Sequence, residues 1–350
     1  LNTLIRLFCL VPALAALLQA VPAGAAARKE WVTVVVSAAG DCTLGRDLRG
    51  GYSNSIAYYF DNNEPDYFFR NVAGIFAKDD LTIVNLEGPL TDAEEAPDKQ
   101  FIFKGPPEYI EILNHSNVNA VNLANNHSRD YGERGYNDTV ELLKANAIGH
   151  FGIGTPCLME VKGVLVGMLG YSGFGTHPLN VLGRDIDILR EQGAALVIVS
   201  FHWGIEREYY PSDTQERLGR GAIDRGADLV IGHHPHVLQG IEKYKGKYIV
   251  YSLGNFCYGG NRNPDDKDTM IFRQAFTFVG GKLGKSPYID IIPARISSAQ
   301  DRNNFQPTPL YGLEGKRVLR RIFEFSSPWG DLDNENNYRT FLIATRRGGY

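Results

Sequence analysis

Asp228-Leu229-Val230-Ile231-Gly232-His233-His234-Pro235-His236-Val237 is the stretch on which the reading of this chain turns. A short apolar run rich in β-branched residues ends at a glycine and passes directly into a histidine cluster, so a buried strand delivers imidazoles at its carboxyl end. In extended backbone, residues two apart face the same side. His234 and His236 are therefore expected to share an ion, with His233 pointing away. Histidine is the commonest metal ligand, and sites in α/β sheets collect beyond the carboxyl ends of strands. The alternative is a set of ordinary surface-loop histidines, but three of the chain's 8 histidines fall in this one loop beside a buried strand.

Comparable apolar runs lie at 31–37, 81–84, 118–123, 164–169 and 195–201, and these also read as buried strands. Between them, 67–77, 135–147 and 212–225 carry helical spacing, as in Tyr136, Val140 and Leu143. Alternating strands and helices imply a layered α/β fold. From Gly240 onward the pattern changes to 241–244, 247–252, 270–279 and 288–292, separated by Gly and Lys turns, which suggests antiparallel strands completing a second sheet. After Ala294 the chain is polar, with periodicity only at 318–325. The expected organisation is a leader at 1–27, a domain at 28–295 and a C-terminal extension at 296–350. No internal repeat or low-complexity tract interrupts it.

With 43% hydrophobic and 22% charged residues in 350, the chain can bury a large core. Against 36 Lys and Arg stand 40 Asp and Glu, a net charge of -4, which excludes a long-range field that would draw in nucleic acid. At the start, Arg6 precedes an apolar run over 7–18, then Val21-Pro22-Ala23-Gly24-Ala25-Ala26-Ala27. This reads as a secretory signal, the alternative being an uncleaved anchor. Either one predicts an exported protein in the periplasm, at the cell surface, or membrane-anchored and facing outside. Of 4 cysteines, Cys9 lies in that segment. Cys42, Cys157 and Cys257 are too few for a disulfide scaffold, and they read as buried thiols or one bonded pair with one thiol.

Other chemistry-bearing residues also sit just past apolar runs: Asp41 after the first, Glu87 after Asn85-Leu86, Asn126 and His127 after Asn125, and His202 at the end of its run. Taken singly, Asp41 is equally a helix cap, Glu87 a solvated strand end, Asn125-Asn126 a turn, and His202 a satisfied core residue. Parallel neighbouring strands would bring all of them into one crevice with His234 and His236. Such a carboxylate, amide and imidazole set suits one or two divalent ions of manganese, zinc or iron. Asn126 would ligate through its amide oxygen while His127 acts as general acid, with Asp130 holding the ring. Arg46 near Asp41 offers a guanidinium fork for an anionic group, or a surface ion pair.

Taken in order, Gly40-Asp41-Cys42-Thr43-Leu44-Gly45-Arg46, Asn85-Leu86-Glu87-Gly88-Pro89-Leu90-Thr91, Ala124-Asn125-Asn126-His127-Ser128-Arg129-Asp130-Tyr131-Gly132, His202-Trp203-Gly204, the histidine cluster and Ser252-Leu253-Gly254-Asn255-Phe256 resemble the bacterial capsule-synthesis CapA family. This family is also called the poly-γ-glutamate synthesis PgsA family, within the calcineurin-like metallophosphatase superfamily. The resemblance implies a sandwich of two mixed β-sheets flanked by helices. It implies a first metal position with Asp41 and His236, a second with Asn126, His202 and His234, and Glu87 between them as the bridging carboxylate. His127 would be the proton donor, and two ions would activate water and clamp a tetrahedral centre. Two departures stand out. Thr43 occupies the place of a superfamily histidine, and Glu87 is one methylene longer than the usual Asp. The implied function is synthesis, export or processing of an anionic capsule polymer of the poly-γ-glutamate type, with membrane-bound capsule synthase or export subunits as partners. A secreted phosphoesterase acting on a phosphorylated substrate and a non-catalytic assembly partner are the alternatives. Water, Glu87 or Cys42 would fill in for the missing histidine, and a Cys42–Cys257 disulfide is a further option.

Overall fold

The structure is a computed structural model that describes residues 31–175, 177–284, 289–330 and 332, so the expected leader at 1–27 and the end of the chain lie outside the described residues. Four parallel strands begin the first sheet: β1 (Trp31–Thr43), β2 (Leu81–Leu86), β3 (Ala120–Asn122) and β4 (Gly149–Phe151). The second sheet holds β5 (Cys157–Val161), β6 (Val164–Gly173), β7 (Leu196–Trp203), β8 (Leu229–His233), β9 (Ile241–Tyr244) and β10 (Lys247–Val250), in the order 5-6-7-8-10-9. The chain then returns to the first sheet with β11 (Asn255–Tyr258), β12 (Asp268–Val279), β13 (Lys282–Leu283), β14 (Ile289–Arg295) and β15 (Thr308–Pro309).

Both sheets are mixed, as the resemblance implied, but the C-terminal strands divide differently from the expectation. β9 and β10 complete the second sheet, and β10 runs parallel to β8. β12 and β14 join the first, with β12 antiparallel to β1 from Trp31–Val279 through Ala38–Phe272. Antiparallel patterning specifies which strands neighbour each other, not which open sheet edge they extend, and β12 takes the edge of β1 that β2 leaves free.

Apolar layering explains the strong burial of the central strands. Val34, Val36, Ile83 and Ala120 meet Val166 and Ile198 between the sheets. On the outer face of the first sheet, Val84 and Val121 pack with Val72 and Phe76 of α2 (Arg70–Phe76; α1 is Ile56–Asp61), Ile112 of α3 (Ile110–Asn114) and Leu143 of α4 (Gly132–Ala145). On the outer face of the second, Val199 and Val230 pack with Leu182 and Ile186 of α5 (Leu179–Glu191) and Leu218 of α6 (Asp213–Asp224). Strands covered on both faces are largely apolar, and the six residues of β2 are all buried, Thr82 and Asn85 among them.

Residues after 295, read as an extension, add to this body: β15 pairs with β14, and α7 (Gly312–Ser326) packs on β14 and β9 with Val318, Ile322 and Phe325 in the inter-sheet core. Among the described residues, no helix is long and apolar enough to cross a membrane.

Candidate metal centre

The carboxyl ends of β1, β2, β3, β7 and β8 meet at one rim of the sandwich, and the start of β11 joins them. Gly40 makes the first placement possible, because a Cβ there would collide with the Gly254 carbonyl, and Asp41 N donates to that same oxygen at 3.0 Å. The pairing of β1 with β2 shifts register between Ala38 and Asp41, a bulge that re-aims the side chain. Asp41 is fully buried. Its Oδ1 accepts from Asn85 Nδ2 at 3.0 Å, and its Oδ2 lies 3.0 Å from His236 Nδ1. Burial alone would raise its pKa, but the imidazoles of His233 and His236 hold the carboxyl well below the usual range.

Glu87 follows β2 and is also buried, yet neither oxygen of its carboxylate accepts a hydrogen bond. Oε1 lies 3.5 Å from His202 Nε2 and 3.7 Å from His236 Nε2. Burial, opposed by His236 and reinforced by Asp41, pushes the carboxyl up to about 8. A buried, unpartnered carboxylate is expensive. Asn126 Oδ1 and His202 Nε2 converge at 2.7 Å. Burial and the neighbouring His234 hold His202 well below the ordinary imidazole value, and burial followed by His236 brings His234 down to about 4. His234 Nδ1 has no hydrogen-bond partner. His236 is the opposite case: burial works against its proton, but Glu87 and Asp41 raise it to about 9.

Two donor groups therefore share one carboxylate. Asp41, Glu87 and His236 present ligand atoms within 4.8 Å of one another, and so do Glu87, His202 and His234, with Asn126 against His202. The orphaned oxygens of Glu87 and the bare Nδ1 of His234 fit divalent cations, because a cation satisfies buried lone pairs that no protein donor reaches.

The six residues expected as ligands are brought together, but the reason expected for the histidines is not the one found. His234 and His236 have φ of 94° and 57°, both left-handed, so the loop turns at each instead of running extended. His233 ends β8 and does not point away: it is buried, with Nδ1 3.2 Å from Asp41 Oδ1. The glycine before it is required, since a Cβ at Gly232 would collide with the Tyr251 carbonyl.

His127 Nδ1 lies 2.6 Å from Asp130 Oδ2, the partnership expected of Asp130. Phe103 N donates to that oxygen at 2.8 Å, and Lys99 Nζ reaches Asp130 Oδ1 at 2.7 Å and the Asn126 carbonyl at 2.8 Å. Burial lowers the His127 pKa, and Asp130 opposes it. Arg46 is placed elsewhere. Its guanidinium donates to the carbonyls of Asp47 and Gly50, and it lines a separate cavity with Tyr52, Lys104 and Tyr109, because its backbone pairs with Lys104 and turns the side chain off the rim. Cys42 faces the apolar side of β1 with Leu86, Phe256 and Cys257, and Cys42, Cys157 and Cys257 are free.

Several contributors escaped the sequence reading: Asn85, which links Asp41, His202, Asn122 and Asn125; Asn255, whose Oδ1 lies 2.9 Å from His236 Nδ1; Lys99; and Glu206. Asn85 and Asn255 stood within the quoted segments and carried a signal. Lys99 stood in a polar loop with none.

Two mixed sheets packed between helices, with carboxylate, amide and imidazole donors gathered at their strand ends, define a protein of the metallophosphatase-like fold class. The chain belongs to the bacterial capsule synthesis protein family PGA_cap, whose family model matches residues 35–259. It is 30% identical over 304 residues to the capsule biosynthesis protein CapA of Bacillus anthracis, covering 77% of this chain and 71% of that protein. It is 32% identical over 247 residues to the PGA biosynthesis protein CapA of Bacillus subtilis (strain 168), covering 63% and 64%. A probable polyglutamine synthesis accessory protein of Mycobacterium tuberculosis is 27% identical over 255 residues, covering 62% of this chain and 66% of its own length. The chain thus spans less than two thirds of the second and third of these relatives.

Proposed function

We propose that this CapA-family chain is an exported, metal-dependent hydrolase that processes an anionic capsule polymer of the poly-γ-glutamate type beside a membrane-bound synthesis or export apparatus. The observation that carries the reading is the unpartnered Glu87 carboxylate, shared by two donor groups, with a hydrogen-bonded His127–Asp130 pair in the adjoining loop. Asp41, Glu87 and His236, or Glu87, Asn126, His202 and His234, would hold a divalent ion, which would supply Lewis acidity and lower the pKa of water. The chain's own residues do the rest. Asp130 and Lys99 fix the His127 ring and the Asn126 loop; with Nδ1 kept on Asp130, the ring in its protonated form would give the Nε2 proton to the leaving group as the bond breaks, and Asp130 would stabilise that form. The names of the relatives support a place in polymer synthesis, and the leader read from the sequence supports export.

The test is to purify the chain, measure bound manganese, zinc and iron, and follow shortening of poly-γ-glutamate. His127→Ala should keep its metal and lose about 10² to 10⁴ in turnover, the usual worth of a positioned general acid. A mutant that lost its metal would put His127 among the ligands. A wild-type chain that bound metal and cleaved a simple phosphoester but not the polymer would make it a phosphoesterase, and one that bound none would leave it an assembly partner.

A further inference from the structure

Glu206 lies in the loop between β7 and α6, at the solvent side of the centre, and is exposed. Its carboxylate, with ligand atoms of His234 and His236, forms a third group in which all atoms lie within 4.8 Å of one another. The loop is fixed against the histidines: Arg207 N donates to the Pro235 carbonyl at 2.8 Å, and Gln239 Nε2 donates to the Glu208 carbonyl at 2.8 Å. Gln239 is itself held by Gln215 Nε2 at 2.8 Å, and Gln215 closes the capping box that starts α6. The two bonds fix the backbone that carries Glu206 against the ligand loop.

Glu206 thus stands beside a histidine of each buried group, and the two groups differ in donor count. Glu87, Asn126, His202 and His234 make four donors on one side, whereas Asp41, Glu87 and His236 make three on the other. Charge points the same way, because Asp41 and Glu87 are the only carboxylates in the two buried groups, and two divalent ions surrounded otherwise by neutral imidazole and amide would be left with excess positive charge. We propose that Glu206 is a metal ligand that completes the three-donor position together with His236 and closes the centre toward solvent. This rests on the metal-centre reading above.

Manganese binding to the full chain by titration calorimetry, with cobalt substitution read by its visible absorption, tests it. Glu206→Gln should weaken one of two binding events by about 10- to 100-fold, at least what loss of a partner supporting a ligand costs, and should change the cobalt spectrum. Asp265→Asn removes an exposed charge from the cavity that Glu206 and His236 also line, and should do neither. Equal weakening by both variants would reduce Glu206 to a general electrostatic effect, and an unchanged affinity and spectrum in Glu206→Gln would overturn the proposal while leaving the centre intact. A wild-type chain that bound no manganese or cobalt would overturn the centre itself. Circular dichroism melts of the metal-free variants separate ligand loss from misfolding.

Discussion

On the first sheet, Asp41 is held by a side-chain amide just past a register bulge; on the second, His234 and His236 are held by backbone that side chains rarely adopt. Asn85 stands between Asp41 and His202, donating to both, and its oxygen accepts from Asn122 at 3.0 Å and Asn125 at 3.2 Å. Removing one link leaves the others. His234 and His236 instead occupy left-handed φ, a conformation costly for non-glycine residues, and they keep it because Arg207, Asn255 and Asp41 hold the loop from outside. Precision therefore comes from redundancy on one side and from stored strain on the other. Glu87 lies between the two and belongs to both donor groups, without a hydrogen bond to its carboxylate.

The largest effect should come from Glu87→Gln. Metal binding should fall at both positions, since both groups lose their shared carboxylate, while the metal-free chain should become more stable above neutral pH. The sign follows from proton binding. An ordinary Glu releases its proton near 4.5, but burial keeps one on Glu87 to about 8, so between those values the folded chain binds more protons than the unfolded and stability falls as pH rises. His236 retains its proton to about 9 instead of 6.5, which adds a fall in the same direction. His202, His234 and His127, whose pKa values burial lowers, pull the other way below the ordinary imidazole value of 6.5, so the melting temperature of the metal-free wild type should drop from about pH 6.5 to about pH 9, and Glu87→Gln should reduce that drop. A flat wild-type profile would mean that Glu87 is solvated or paired in the metal-free state.

A second comparison probes the strained side. His234→Ala removes a donor, whereas His233→Ala removes only the imidazole against Asp41. Loss of a group that orients a ligand typically costs about 10- to 100-fold in metal affinity, so His233→Ala should fall between wild type and His234→Ala by calorimetry. An affinity equal to wild type would restore the idea that His233 points away, and a loss equal to that of His234→Ala would make it a ligand.

Much of the first sheet's contribution was readable because Asp41, Glu87 and Asn126 each follow an apolar run that had to be a buried strand, and strand ends meet where parallel strands align. The histidine pair was readable as a pair, but not for the right reason: alternation presumes extended backbone, and nothing in His-His-Pro-His announces two left-handed residues. α5 carried helical spacing at Leu182, Ile186 and Leu189 that went unread. The return of β12 to β1 was not readable, since pairing across more than two hundred residues leaves no local trace. Asn85 was readable as a polar residue at a strand end, but not as the hub of the rim. Its role depends on four partners, on β1, β3, β7 and the loop after β3, a property of the assembled rim alone.

The smallest effect should come from Cys42→Ser, although Cys42 adjoins Asp41 in sequence. Successive residues of a strand face opposite sides, and here Asp41 takes the rim while Cys42 enters the apolar layer toward the helices, fully buried, with Sγ 3.7 Å from the Gly40 carbonyl. Burial pushes its thiol well above the ordinary range, with Asp41 and Glu87 adding to the rise, so this sulfur holds its proton and is a poor ligand. Cys257 shares the same layer and is likewise free. Metal content and affinity should therefore equal wild type, while a hydroxyl in this apolar setting should lower stability by about 1 to 3 kcal/mol. Thiol titration of the unfolded chain should lose one group and gain none. Lost metal would instead assign a thiolate to the position where Thr43 offers no imidazole. A newly titratable Cys257 with metal retained would reveal a disulfide joining β1 to β11, and the amide-held side of the centre would then owe part of its rigidity to a covalent link.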